Sequence, residues 1–109
     1  VLRRRDRDEV NELTFDDTRI DLRAKTVTRA GQLVELTAQE FKLLAHFVSN
    51  PGRTFSRDEL LSAAWGFGYE GTARTVDNFV SQLRAKFEQK PDEPRRFCTV
   101  RGLGYRFDP

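Results

Sequence analysis

The sequence predicts an α+β domain in which a meander of short strands, three helices and a terminal β-hairpin follow one another along the chain. Three observations carry that prediction. Between residues 13 and 36, short extended runs alternate with turn-forming pairs, the spacing of antiparallel strands. One helix-start signature occurs twice, as Thr37-Ala38-Gln39-Glu40 and as Ser56-Arg57-Asp58-Glu59. Near the C-terminus, an apolar stripe at helical spacing is followed by two extended runs separated by a glycine turn.

Taken in order, the first ten residues are dense in both charges and lack apolar periodicity after Leu2. They read as a linker, or as the end of a helix belonging to an upstream unit of a longer protein. The folded domain is then expected over residues 11–109. Leu13–Phe15, Ile20–Leu22, Thr26–Arg29 and Gln32–Leu36 are the four expected strands, broken at Asp16-Asp17, Arg23-Ala24-Lys25 and Ala30-Gly31. In the first helix Phe41, Leu44, Ala45 and Val48 make one apolar face, Leu36 and Phe41 form a hydrophobic staple, and Asn50-Pro51-Gly52 stops it. The second helix repeats the device with Phe55 and Leu60 and buries Leu60, Leu61, Ala64 and Trp65. The Gly-rich loop Gly66-Phe67-Gly68-Tyr69-Glu70-Gly71 resets the direction. A third helix is expected from about Ala73 to Glu88, with Val76, Phe79, Val80, Leu83 and Phe87 as its buried stripe. Phe97–Val100, the turn Arg101–Gly104, and Tyr105–Phe107 complete a hairpin.

Composition excludes several classes. The 109 residues suffice for one domain, and 38% hydrophobic content with 9 Phe supports a small core. No apolar run approaches the ~18–20 residues of a membrane span, and no secretory signal is present. The single Cys98 closes no intrachain disulfide, and one Cys with one His makes no zinc cage. The formal charge is only +2, yet it is unevenly placed. Residues 1–36 hold 8 basic and 8 acidic residues, whereas residues 72–107 hold 8 basic and 4 acidic. Of the 19 basic residues 15 are Arg, the side chain suited to forked contacts with phosphate and base edges.

The order of elements describes a helix-turn-helix extended by a wing. Opposite the apolar stripe, the third helix presents Arg74, Asn78, Ser81 and Ala85, with Gln82 beside them. Ser81 and Ala85 allow close approach to a major groove. Asn78 and Gln82 are suited to adenine edges, and Arg74 and Arg84 to phosphate or guanine. The hairpin tip, Arg101 before Gly102, has the shape to enter a minor groove, with Thr99 on the same side of the strand near the backbone. An ordinary solvated helix face would also carry amides and Arg; the adjacent basic hairpin favours DNA.

Leu36–Leu61, Ala63–Gly66, Arg74–Glu88 and Thr99–Phe107 together closely resemble the effector domain of OmpR/PhoB-type response regulators. Arg74-Thr75-Val76-Asp77 and Thr99-Val100-Arg101-Gly102-Leu103-Gly104-Tyr105-Arg106-Phe107 are specific in combination. The resemblance covers roughly Leu13 to Phe107. It implies a winged helix with an N-terminal four-stranded antiparallel sheet, and an upstream receiver domain phosphorylated on Asp by a sensor kinase. Residues 1–10 are then the linker or the end of the receiver. It also implies that Arg74, Thr75, Asn78, Gln82, Arg84, Thr99 and Arg101 meet DNA. The loop of Trp65, Gly66, Phe67, Gly68, Tyr69, Glu70 and Gly71 would face RNA polymerase, with Phe67 and Tyr69 either exposed for that contact or packed onto the helix pair.

The expected function is therefore sequence-specific binding of double-stranded DNA by the cytoplasmic output domain of a two-component transcriptional regulator. Two copies are expected on direct-repeat half-sites, the isolated domain being a monomer and the full-length protein a dimer on DNA. Where many family members carry extra cations on the third helix, this chain has Phe79, Ser81 and Gln82, so its salt dependence is expected to be shallow. A winged helix used as a protein-interaction module is the alternative. No nucleophile–base pair, metal set or cofactor motif can be assembled, and catalysis is not expected. His46 is expected at the surface, Cys98 as a buried small hydrophobe, Asp16-Asp17 as a turn, and Asp77 in an ion pair with Arg74 or Arg84.

Overall fold

The computed structural model describes residues 12–66 and 72–109. Four strands come first: β1 (Glu12–Phe15), β2 (Thr18–Asp21), β3 (Thr26–Arg29) and β4 (Gln32–Val34). Helix α1 (Ala38–Ser49), strand β5 (Thr54–Phe55), helix α2 (Arg57–Trp65) and helix α3 (Ala73–Phe87) follow. Strands β6 (Phe97–Val100) and β7 (Gly104–Phe107) close the chain. The first four strands form an antiparallel meander in sequence order, and a second sheet has the order β5-β7-β6. The winged-helix architecture with its N-terminal four-stranded sheet is as the sequence predicts.

Local chemistry sets the strand ends. Phe15 pairs with Thr18, so Asp16 and Asp17 alone make the first turn, Asp16 at φ 51. That two-residue turn starts β2 at Thr18 rather than at Ile20. The Asp21 carboxylate accepts hydrogen bonds from the Arg23 and Ala24 amides at 3.0 and 2.9 Å, turning the chain and leaving Leu22 outside the strand. Ala30 and Gly31, at φ 53 and 80, both lie in the left-handed region and join β3 to β4 in the turn type that matches strand twist.

Both capping boxes are present. Thr37 Oγ1 accepts from the Glu40 amide at 3.2 Å while Glu40 Oε1 accepts from the Thr37 amide at 2.8 Å. Ser56 and Glu59 repeat the exchange at 3.1 and 2.8 Å. Glu40 is nearly fully buried yet charge-paired, because Lys86 Nζ from α3 reaches its two oxygens at 3.1 and 3.0 Å. The Arg29 guanidinium donates to the Lys86 carbonyl at 2.6 Å, so the first sheet, α1 and α3 are joined at one place.

Aromatic packing ties the halves together. Phe15 meets Phe87, Phe97 and Phe107 edge-on, with ring centroids 6.2, 6.1 and 5.0 Å apart. The first sheet therefore rests on the C-terminal turn of α3 and on the base of the wing. Arg96 strengthens this seam by holding Asp16 through two bonds of 2.9 and 2.7 Å, and that hydrogen bonding keeps the Asp16 carboxyl below its usual range.

The wing is launched from a buried carboxylate. Glu88, the residue after α3, accepts from three consecutive amides, Arg95, Arg96 and Phe97, at 3.0, 2.9 and 2.8 Å. Replacing Glu88 with Gln puts an NH2 donor where an acceptor is required. Urea unfolding is expected to show a loss of about 1–2 kcal/mol, and an unchanged midpoint would contradict this role.

Three local readings are corrected. His46 is half-buried rather than superficial, its ring 4.4 Å from that of Phe55, which also carries the Arg53 guanidinium at 4.8 Å. Burial first, and the Arg53 charge second, lower its pKa. A lowered folded pKa means the unfolded chain binds more protons, so the contribution is fully present above the unfolded value near 6.5 and is lost as pH falls. Urea midpoints compared between about pH 5 and 7.5 are expected to fall with acid, and His46→Gln is expected to flatten that slope. An equal slope in the variant would remove His46 as its source. Cys98 is half-exposed, with Sγ 3.4 Å from the Arg95 carbonyl and 3.5 Å from Asp108 Oδ2. Burial first, and hydrogen bonding to Asp108 second, raise its thiol pKa. Asp77 pairs with neither Arg74 nor Arg84 but with Arg57, across the helix-turn-helix.

Candidate nucleic-acid interface

The apolar stripe of α3 decides which side chains remain outside. Val76, Val80, Leu83 and Phe87 are buried, and Phe79 is half-buried with its ring edge-on to Trp65 at 4.8 Å. That rotation exposes Arg74, Asn78, Ser81, Gln82 and Ala85 as one face about three turns long. The side chains of Arg74, Asn78, Ser81 and Gln82 make no hydrogen bond or ion pair among the described residues, so their donors and acceptors remain available. Thr75 is half-buried in the first turn of α3, its amide donating to the Thr72 carbonyl at 2.9 Å.

Arg84 stands differently from the others. It is half-buried, and Nε donates to the Phe97 carbonyl while Nη2 donates to Thr99 Oγ1, both at 2.9 Å. Of the groups expected to meet a ligand, Arg84 and Thr99 are therefore bonded to each other, across α3 and β6. Thr99 remains exposed.

At the wing tip the Leu103 amide donates to the Val100 carbonyl at 2.9 Å, closing a four-residue turn. Gly102 occupies the third position at φ 77, the conformation a type II turn requires there. Arg101, Gly102 and Leu103 are exposed, Leu103 by 64%, and the Arg101 guanidinium has no partner among the described residues. The interface thus has two parts, an amide-bearing helix face and a cationic hairpin tip.

Sequence reasoning missed the residues that join these parts. Strand β5 adds Thr54 and Phe55 to the wing sheet by pairing with Arg106 and Tyr105. The Tyr105 hydroxyl donates to Asp77 Oδ1 at 2.6 Å, and Arg57 Nε reaches the same oxygen at 2.7 Å. Burial raises the Asp77 pKa, but the Tyr105 and Arg57 hydrogen bonds outweigh it and hold the carboxyl below its usual range. Burial, then donation to that carboxylate, raises the Tyr105 phenol. Of the loop from Trp65 to Gly71, Trp65 and Gly66 belong to the described part, Gly66 ending α2 at φ 94 with its amide on the Ser62 carbonyl. Phe67, Gly68, Tyr69, Glu70 and Gly71 lie outside the described residues. Among the described residues no group of three or more His, Cys, Asp or Glu is placed to hold a metal ion, and no helix is long and apolar enough to cross a membrane.

The family described as transcriptional regulatory protein, C terminal, matches residues 31–107. The chain belongs to this family. Its fold and its relatives are those of OmpR/PhoB-type response regulators. Over 109 residues it is 43% identical to the transcriptional regulatory protein AfsQ1 of Streptomyces coelicolor, covering 100% of this chain and 48% of that protein. It is 41% identical over 108 residues to the DNA-binding response regulator MtrA of Mycobacterium tuberculosis, covering 99% of this chain and 47% of the relative. The chain thus spans about half the length of these curated relatives.

The solved structures of this transcriptional-regulator family agree with the fold. The response regulator DrrB of Thermotoga maritima, an OmpR/PhoB homolog, superposes with a TM-score of 0.84 at 29% identity, covering 99% of this chain and 51% of that one. The DNA-binding domain of Klebsiella pneumoniae RstA, solved in complex with the RstA box, superposes with a TM-score of 0.78 at 34% identity. That match covers 89% of this chain and 96% of the RstA domain.

Proposed function

We propose that this domain binds double-stranded DNA sequence-specifically, with α3 in the major groove and the β6–β7 wing in the minor groove. The observation that carries the reading is the exposed face Arg74, Asn78, Ser81 and Gln82, whose polar side chains have no partner among the described residues and lie on a helix whose opposite stripe is buried. In the major groove Asn78 and Gln82 read base edges, Ser81 and Ala85 permit close approach, and Arg74 with Thr75 fixes the phosphate register. Arg101 and Gly102 enter the minor groove. Arg84 spends two donors on the wing and keeps Nη1 for a phosphate, with Thr99 beside it.

In the whole protein, residues 1–10 are the linker or the end of an upstream receiver domain, and residues 11–109 the effector domain. The receiver takes phosphate from a sensor kinase in the cytoplasm. Two effector domains occupy direct-repeat half-sites, the isolated domain being a monomer and the full-length protein a dimer on DNA. The loop from Trp65 to Gly71 contacts RNA polymerase.

The test is a titration of this domain against a duplex it selects from a randomised library and against a scrambled duplex, at several salt concentrations. A selected complex tighter than the background, with both weakening as salt rises, is expected. Each neutralised phosphate contributes roughly 0.9 to the log–log slope, so few helix cations imply a small slope. Equal affinity for the two duplexes at moderate salt would sink the reading and favour a protein-interaction module.

A further inference from the structure

We propose that Arg84, Asp77 and Tyr105 are positioning residues, a clasp that fixes the angle of the wing against α3 so that both parts engage one duplex together. The inference rests on the DNA-reading proposal above and adds how its two parts are coupled. A helix and a hairpin that bind the same duplex reinforce each other only if their geometry lets both dock at once. Here the segment of residues 88–96 joins them, and Glu88 anchors only its far end.

The clasp supplies what that loop lacks. Arg84 holds β6 at two points, the Phe97 carbonyl at the base and Thr99 Oγ1 further along, both at 2.9 Å. Two bonds from one planar guanidinium fix a direction as well as a distance. The neighbouring strand β7 is held separately. The guanidinium groups of Arg84 and Arg57 lie over the Tyr105 ring, 5.6 and 5.4 Å from its centroid. Its hydroxyl meets Asp77, itself fixed by Arg57. Asp77 and Arg84 are two helical turns apart on α3, so the wing is attached at separated points and resists rotation about either one. The apolar core already holds the base of the wing through Phe97 and Phe107, both essentially inaccessible, and β5 pairs with β7 only at Tyr105 and Arg106. The polar clasp therefore governs the orientation of the part beyond the core, where Arg101 sits.

The test combines Arg101→Ala with each of two clasp changes. Tyr105→Phe keeps the ring and the strand pairing and removes only the bond to Asp77; Arg84→Lys keeps the charge and removes the fork. Affinity for the selected duplex is measured for all single and double variants. In free protein, residual dipolar couplings report the orientation of wing amides relative to α3. In the otherwise unchanged domain Arg101→Ala is expected to weaken binding about tenfold, and in either clasp background by less than about threefold, because the wing no longer docks in register. The wing couplings are expected to move while those within α3 do not. Should Arg84→Lys fail to fold, Tyr105→Phe alone decides. Penalties that multiply in full, or wing couplings that stay fixed, would overturn the clasp while leaving DNA reading intact. A domain that selects no duplex would overturn the DNA reading and this coupling with it.

Discussion

Gly104→Ala is expected to destabilise the domain more than a methyl added at any other glycine among the described residues. Gly104 begins β7, pairs with Val100 and is buried, with φ 149. A Cβ built there lies 1.9 Å from the Phe55 carbonyl oxygen and 2.9 Å from both the Phe55 carbonyl carbon and Ser56 Cα. These are backbone atoms of β5 and of the α2 N-cap, so no rotamer change relieves the overlap. Relief requires β5 to leave β7, which opens the wing sheet and shifts the start of α2. A strained backbone and an overpacked contact together cost about 3–5 kcal/mol, a large share of the ~5–15 kcal/mol that stabilises a typical domain. Gly31→Ala is the control. Gly31 has φ 80 and nothing within 4 Å of an added Cβ, so only the left-handed penalty of about 1–2 kcal/mol applies. Urea unfolding of the two variants measures the difference. Equal losses would show that the approach of β5 to Gly104 is not what constrains the site.

The same contact shows where sequence reading stops. The capping boxes at Thr37 and Ser56 were legible because both partners of each lie within four residues, as were the Ala30-Gly31 turn and the stripe of α3. The exposed face of α3 was legible for the same reason: the buried stripe determines its opposite. Strand β5 was not, because two residues carry no periodicity and their partners, Tyr105 and Arg106, lie some fifty positions away. The sequence marks Asp77 as an ion-pair residue, but two Arg on its own helix offer local partners. The actual one, Arg57, depends on how α2 crosses α3. Alternation along β6 predicts Cys98 in the interior. The strand runs out of the core, so only Phe97 at its base is fully covered, while Cys98 and Val100 are half-buried and Thr99 is exposed. The sequence shows the charge of Arg84, which suits a ligand, and not its bonds to Phe97 and Thr99.

The division between local and distant information makes Asn78 the sharpest test of function. Asn78 sits one turn from Arg74 and one from Gln82, exposed and without a side-chain partner among the described residues. Because its side chain bonds to none of the described residues, Asn78→Ala is expected to leave the unfolding free energy within about 0.5 kcal/mol of the unaltered value. In the groove an Asn can make two bonds to one adenine, worth about 1–3 kcal/mol of discrimination. Affinity for the selected duplex should therefore fall about 5- to 150-fold, while affinity for scrambled DNA stays unchanged. Arg74→Ala is expected to behave otherwise, weakening both duplexes alike and reducing the salt slope by roughly 0.9 for one lost phosphate contact. Repeating the library selection with the Asn78 variant locates the effect, since preference should relax at one base pair and persist elsewhere. A uniform loss across all DNA would place Asn78 on the backbone, and no loss at all would remove this face of α3 from the groove. Stability, the selected duplex and the scrambled duplex respond to different atoms of one helix, so the three measurements together separate a reading face from a solvated one.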